Sequence, residues 1–198
     1  MDKLRIFIAI PLPESLLNRL GDVQHRLQGK VPHRSVRWVG LEGIHLTLKF
    51  LGDTPRSEIA KIQEALTVVA RNVPSFVATA GGLGCFPNPG RPRVIWVGVD
   101  EQSGRLKMLV RAVDEAMTSL GYKPERHGFT PHLTLGRVRR QASQEGRGQI
   151  SKAITGTRVG ELETFRADRI ELIRSELKPS GAEYTTLMAF PLLGGQGE

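Results

Sequence analysis

Two periods organise the apolar positions of this chain. Residues 5–12, RIFIAIPL, are almost continuously apolar and β-branched and stop at prolines, the pattern of a buried strand. Leu16, Leu17, Leu20, Val23 and Leu27 then recur at the three- and four-residue spacing of an amphipathic helix. VRWVG and IHLTLKFLG (residues 44–52) read as extended, and Ser57 stands where it can cap a helix whose apolar face is Ile59, Ile62, Leu66 and Val69. SFVATAGGLGCF predicts another strand that ends in a glycine-rich turn.

The pattern then starts again. RVIWVGV is a strand, and Leu106, Leu109, Val110, Val113, Met117 and Leu120 mark a strongly amphipathic helix with Gly121 as its stop. A second strand-like run, PHLTLGRVR, follows at residues 131–139. RRQASQEGRGQISKAITGTR is polar and basic with a sparse apolar pattern, so a mobile loop with a short helix is expected there. TFRADRIELIRSEL and EYTTLMAFPL are expected to be closing strands. Arg5 to His45 spans 40 positions and Arg93 to His132 spans 39, with strand, helix and strand in the same order in both. The two halves therefore read as a diverged duplication, too long in period to be a solenoid unit. Packed about a pseudo-two-fold axis, such halves bring equivalent strands face to face, and two histidines 87 positions apart into one cleft.

Composition narrows the picture. The 198 residues suffice for one domain with its own core, expected over residues 1–193 with 194–198 as a flexible tail. Cys85 is the single cysteine, which leaves no intrachain disulfide and no thiolate companions for zinc, and favours a reducing, cytoplasmic setting. The N-terminal apolar run is too short for a signal peptide or a membrane span, and no membrane partner is expected. Lys and Arg number 28 against 20 acidic residues, a net charge of +8, which tilts expectation toward a polyanionic partner.

The repeated motif carries the chemistry. Residues two apart on a strand share a face, so His45 projects with Thr47 and His132 with Thr134, while Leu46, Leu48, Leu133 and Leu135 point to the core. Two imidazoles and two hydroxyls, with Glu42 and Asp53 the only acidic residues within five positions of either motif, make a poor metal cage and a good anion site. Threonine hydroxyls donate to phosphate oxygens. Two histidines in different protonation states run acid–base chemistry near neutral pH, which suits in-line opening of a strained cyclic phosphodiester.

These features resemble a known family. The paired HLTL motifs, RWV and HLTLKFLG around the first, GGLGCFPNPGRPRVIWVGV, and FTPHLTLGRV around the second are similar to the 2H phosphoesterases. Within that superfamily they resemble the RNA 2',3'-cyclic phosphodiesterases of the ThpR or LigT type, historically called 2'-5' RNA ligases. The resemblance covers nearly the whole chain. It implies an α+β, bilobal LigT-like fold, with two pseudo-two-fold-related lobes, each an antiparallel sheet flanked by helices, and an active-site cleft between them. It implies metal-independent hydrolysis of an RNA 2',3'-cyclic phosphate end to a 2'-phosphomonoester, with no cofactor; apart from the resemblance, a cytoplasmic monomer is expected. In this family the first histidine is the proton donor and the second the acceptor. Carried over, His45 protonates the departing 3' oxygen, His132 activates water, and Thr47 and Thr134 hold the phosphate. The near-symmetry of the two motifs gives no sequence reason to choose either direction. The family's second-motif arginine falls at Arg137 as a phosphate contact, and the equivalent first-motif place is Phe50, which can stack on a base. Strict alternation puts Arg137 on the leucine face, so it reaches the cleft only if the strand is broken or bulged at Gly136. Where relatives carry an arginine five positions before the second histidine, this chain has His127, beside Arg126.

Plainer readings cover the remaining residues. His25 and His33 belong to a polar helix end and a basic loop and read as solvated. GGLGCFPNPG lacks the lysine and spacing of a phosphate loop and reads as a turn. Cys85 reads as an inert small side chain, and Trp38 and Trp96 as core. Arg137, Arg139 and Arg140 are either a solvated edge or an RNA contact. Two other functions remain to be weighed. One is 2'-5' RNA ligation or 2'-5' phosphodiester cleavage on tRNA halves or oligonucleotides, which uses the same residues. The other is a non-catalytic module that binds RNA ends, which needs Lys and Arg but no matched imidazole pair.

Overall fold

The structure, a computed structural model, describes residues 2–125, 128–178 and 181–194. Its elements in chain order are β1 (Lys3–Ile10), α1 (Glu14–Gln28), β2 (Val36–Trp38), β3 (Leu46–Pro55), α2 (Ile59–Asn72), β4 (Phe76–Phe86), β5 (Val94–Asp100), α3 (Arg105–Ser119), β6 (His132–Val138), α4 (Gln144–Thr155), β7 (Glu161–Ala167), β8 (Arg169–Lys178) and β9 (Gly181–Pro191).

The strands form two antiparallel sheets, ordered β3-β1-β8-β9 and β2-β6-β5-β4-β7. Without the short β2 at its edge, the second sheet repeats the first, since β6 takes the place of β3, β5 that of β1, β4 that of β8 and β7 that of β9. The duplication expected from spacing is thus present in the topology, with one refinement. The first half contributes β1 and β3 to the first sheet and β4 to the second, whereas the second half contributes β5, β6 and β7 to the second sheet and β8 and β9 to the first.

The helices are exchanged as well. α1 follows β1 in the chain yet packs on the other sheet. There the buried Gln24 amide donates to the carbonyls of Val39 and Leu135, and Ser15 and Arg19 reach Glu163 of β7. α3 follows β5 and packs beside α2 against the first sheet, where its Asp114 pairs with Lys49 of β3. α2 lies on β8 and β9, and α4 on β4. Buried aliphatic residues of both layers, from Ile6, Ile8 and Leu46 to Ile95, Leu133 and Leu135, form one contiguous core. A smaller cluster of Phe7, Ala9 and Ile173, with Tyr184 packed against it, covers the helix-free face of the first sheet. This explains why β1 reads as continuously apolar: from Ile6 onward both of its faces are buried.

Four local expectations are corrected. Ser57 lies in a single 3-10 turn, Arg56–Glu58, and α2 begins after Glu58 without a side-chain cap. The glycines at 81–84 do not form a turn; β4 continues to Phe86, and a bulge near Gly82, whose φ is +69°, absorbs the irregularity. The segment expected as a mobile loop with a short helix holds the 12-residue α4, capped by Ser143 Oγ accepting from the Gly146 amide at 3.0 Å. Only Ile150, Ala153 and Ile154, with Gly146, are buried from it, and two glycines interrupt the pattern, so its periodic signal is thin. The first closing strand is two strands, β7 and β8, divided at Asp168. Of the expected tail, Gly194 is held by its amide donating to the Val73 carbonyl at 3.1 Å, and 195–198 lie outside the described residues.

Candidate active site

Both motifs show one burial pattern. His45 and Thr47, like His132 and Thr134, are part-exposed, while Leu46, Leu48, Leu133 and Leu135 are buried. His45 immediately precedes β3 and His132 opens β6, and these two strands are in contact between the two sheets.

Register explains how the two residues five positions beyond each histidine reach the same face. In β6, Trp96 pairs with Thr134 but Ile95 pairs with Gly136, leaving Leu135 as an extra residue. Alternation is therefore reset, and Arg137, paired with Val94, lies on the face of Thr134 and Trp96. In β3 the same occurs. Ala9 pairs with Thr47 and Ile8 with Lys49, so Leu48 is extra, and Phe50 opposite Phe7 returns to the face of Thr47. Each motif thus carries a bulge three residues after its histidine. Phe50 is 63% exposed, a free aromatic surface on this face.

The role expected for Gly136 is corrected. Its counterpart in β3 is Lys49, and β3 bulges without a glycine there. Lys49 is buried, pairs with Asp114 of α3 and donates to the Lys123 carbonyl at 2.9 Å. Gly136 is required for another reason: a Cβ there would lie 2.7 Å from Val36 and 3.0 Å from the Trp38 ring, so glycine lets β2 approach.

The two imidazoles sit in different surroundings. The His45 ring stacks on Phe7 with centroids 4.5 Å apart and meets the edge of Tyr184 at 5.4 Å. Burial pushes its pKa down to about 4, because the charged ring loses water there. Among the described residues neither of its nitrogens has a protein hydrogen-bond partner. His132 meets Phe86 edge-on at 4.9 Å and lies 6.3 Å from Trp96. Its Nδ1 is 2.8 Å from the Thr130 carbonyl. A carbonyl only accepts, so Nδ1 carries the hydrogen and the neutral ring keeps its lone pair on Nε2.

Sequence reasoning missed Phe7, Tyr184 and Phe86 as walls of the histidine environments. Phe7 was hidden in an apolar run that looks buried for packing alone. Tyr184 comes from the last strand, with no local signal to connect it to His45. Trp96, expected in the core, lies on the face of Thr134 and is packed over Gly84, where a Cβ would fall 2.3 Å from its ring. Cys85 is buried, and burial raises its thiol pKa, in keeping with an inert side chain. Arg126 and His127 lie outside the described residues.

Comparison with known proteins places these features in context. The family model described as the 2'-5' RNA ligase superfamily matches residues 12–179. A Methanothermobacter thermautotrophicus protein named RNA 2',3'-cyclic phosphodiesterase is 33% identical over 190 residues, covering 96% of this chain and 100% of that protein. An Archaeoglobus fulgidus protein of the same name is 34% identical over 189 residues, covering 94% and 99%. Among solved structures, a Thermus thermophilus protein superposes with a TM-score of 0.81 at 28% identity, covering 98% of this chain and 100% of that one. Escherichia coli LigT complexed with 3'-AMP gives a TM-score of 0.71 at 22% identity over 96% of this chain and 99% of that one, a likeness of fold.

Proposed function

Since the chain belongs to the 2'-5' RNA ligase superfamily, we propose that it is an enzyme that opens RNA 2',3'-cyclic phosphate ends to 2'-phosphomonoesters, with His45 and His132 as its acid and base. The observation that carries this reading is the duplicated motif, in which each copy pairs a part-exposed imidazole with a part-exposed hydroxyl two residues on, and a bulge returns the fifth-position side chain to the face of that hydroxyl. Relatives over nearly the full length are named for this reaction.

Water attacks phosphorus opposite the 3' oxygen, and the P–O3' bond breaks as the new P–O bond forms. His132 Nε2 takes the proton of the attacking water, a role supported by the hydrogen bond that commits Nδ1 as donor to Thr130. His45 delivers a proton to O3', leaving the phosphate on O2'. Thr47, Thr134 and Arg137 hold the non-bridging oxygens, and Phe50 stacks on a base. Because burial keeps His45 neutral in the empty site, the arriving phosphodiester anion supplies the opposite charge that raises its proton affinity. No metal takes part in these steps. The same protein is read as a cytoplasmic monomer folded as one unit over residues 1–193; among the described residues no helix is long and apolar enough to cross a membrane.

The test is incubation with a cyclic-ended oligoribonucleotide in EDTA, resolving 2'-phosphate from 3'-phosphate products. The 2'-phosphate is expected to form, and His45→Ala and His132→Ala are each expected to lower kcat by roughly 10²–10⁴-fold. Undiminished turnover in both variants, or 3'-phosphate as product, would refute the assignment.

A further inference from the structure

A groove of arginines opens at the end of the second sheet, beside the histidine-bearing face. Arg91, Arg93, Arg137, Arg140 and Arg147 line it together with Val94 and Val138. Arg137 and Val94 are a register pair on the face of His132 and Thr134, so the groove begins where the phosphate-binding residues end. Arg37 pairs with Arg137 on the neighbouring β2 and extends the same basic surface.

The groove is held in shape. Arg147 reaches from α4 to donate to the carbonyls of Arg139 at 3.2 Å and Arg140 at 3.1 Å, and to that of Pro92 at 3.5 Å. It thereby ties together the two segments that bear the other arginines. Arg93 is fixed by its backbone, its amide donating to Phe86 at 2.7 Å and its carbonyl accepting from Val138 at 2.9 Å. Ion pairs elsewhere engage Arg19, Arg56, Arg111, Arg169 and Arg174. Among the described residues, none of the groove arginines has a carboxylate partner. Guanidinium groups gathered without counter-charge repel one another, and phosphates accept their paired N–H groups in a matching planar geometry.

We propose that this groove is a second anion track, which binds the backbone phosphates of a single-stranded polynucleotide on the 5' side of the cyclic end. It rests on the reading of the histidine cleft given above, and it makes the substrate a polynucleotide rather than a mononucleotide. A cyclic phosphate terminates a chain, so every other phosphate of that chain lies to its 5' side and leaves the cleft in one direction. The arginine groove supplies that exit.

The experiment compares a 2',3'-cyclic mononucleotide with a single-stranded oligoribonucleotide ending in the same nucleotide, in wild type and in Arg93→Gln/Arg140→Gln. Arg137 is left intact, as is Arg147, which the fold uses. For the oligonucleotide, KM is expected to rise roughly 10-fold or more, and the slope of log KM against log salt to fall by about 0.7 for each phosphate contact removed. For the mononucleotide, kcat and KM are expected to stay unchanged. Equal responses to both substrates, or none to either, would overturn the proposal. Turnover of neither substrate by wild type sinks the cyclic phosphodiesterase reading instead. The groove is then judged by fluorescence anisotropy of the labelled oligonucleotide, where a weaker Kd in the double variant supports it and equal Kd values overturn it.

Discussion

His45 and His132 occupy equivalent places in the two motifs, yet their protonation is governed by different neighbours. The Thr130 carbonyl sets the tautomer of His132, while the Phe7 ring and burial keep His45 neutral. The folded pKa of His45, about 4, lies below its ordinary 6.5, so between those values the unfolded chain binds more protons than the folded one. The stability due to a neutral His45 is therefore complete above pH 6.5 and is lost as pH falls toward 4. In urea unfolding at pH 7 and pH 4, wild type is expected to lose about 3 kcal/mol more than His45→Leu. Parallel losses in the two proteins would show that the imidazole is solvated. The same shift appears in kinetics. One limb of the kcat/KM profile, which reports the free enzyme, is expected near pH 4, and in the kcat profile it moves upward because the bound phosphate is negative.

At the scale of the strand, alternation separates packing from chemistry within four residues. Leu133→Ala is expected to cost about 2–5 kcal/mol of stability by opening a core cavity. Thr134→Val keeps the shape, so thermal unfolding should barely change while kcat/KM falls roughly 10–100-fold, the effect of one lost hydrogen bond to a charged group. A melting temperature lowered equally by both substitutions would contradict the faces assigned here. Much of this was legible in the chain. Strand and helix periods, the twin motifs and the inward leucines all follow from local spacing. The bulges at Leu48 and Leu135 were not, because an unpaired residue is defined by its partner strand, and the register of β1 or β5 is absent from the motif itself. For the same reason Gly136 suggested a break in β6, when its small size serves the approach of β2. The extent of helix α4 was underestimated because it buries few side chains, and Tyr184 was missed because it reaches His45 only after the last strand has returned to the first sheet.

For the whole molecule, the exchange of α1 and α3 decides what can fold alone. Residues 1–92 contain β1 and β3 but lack both α3, which packs on β3, and β8, which pairs with β1; residues 93–198 contain β5 and β6 but lack α1 and β4. Expressed separately, each half is expected to give no cooperative melting transition, and co-expression to restore one. A cooperative melt from either half by itself would show that the duplicated units are autonomous. The exchanged helices also set how the molecule breathes. Spreading the two sheets like jaws would pull each helix against its own chain connection and bare the leucines beneath both roofs at once. An opening of that kind is therefore expected to be costly, which favours entry of a ligand from the rim over closure around it.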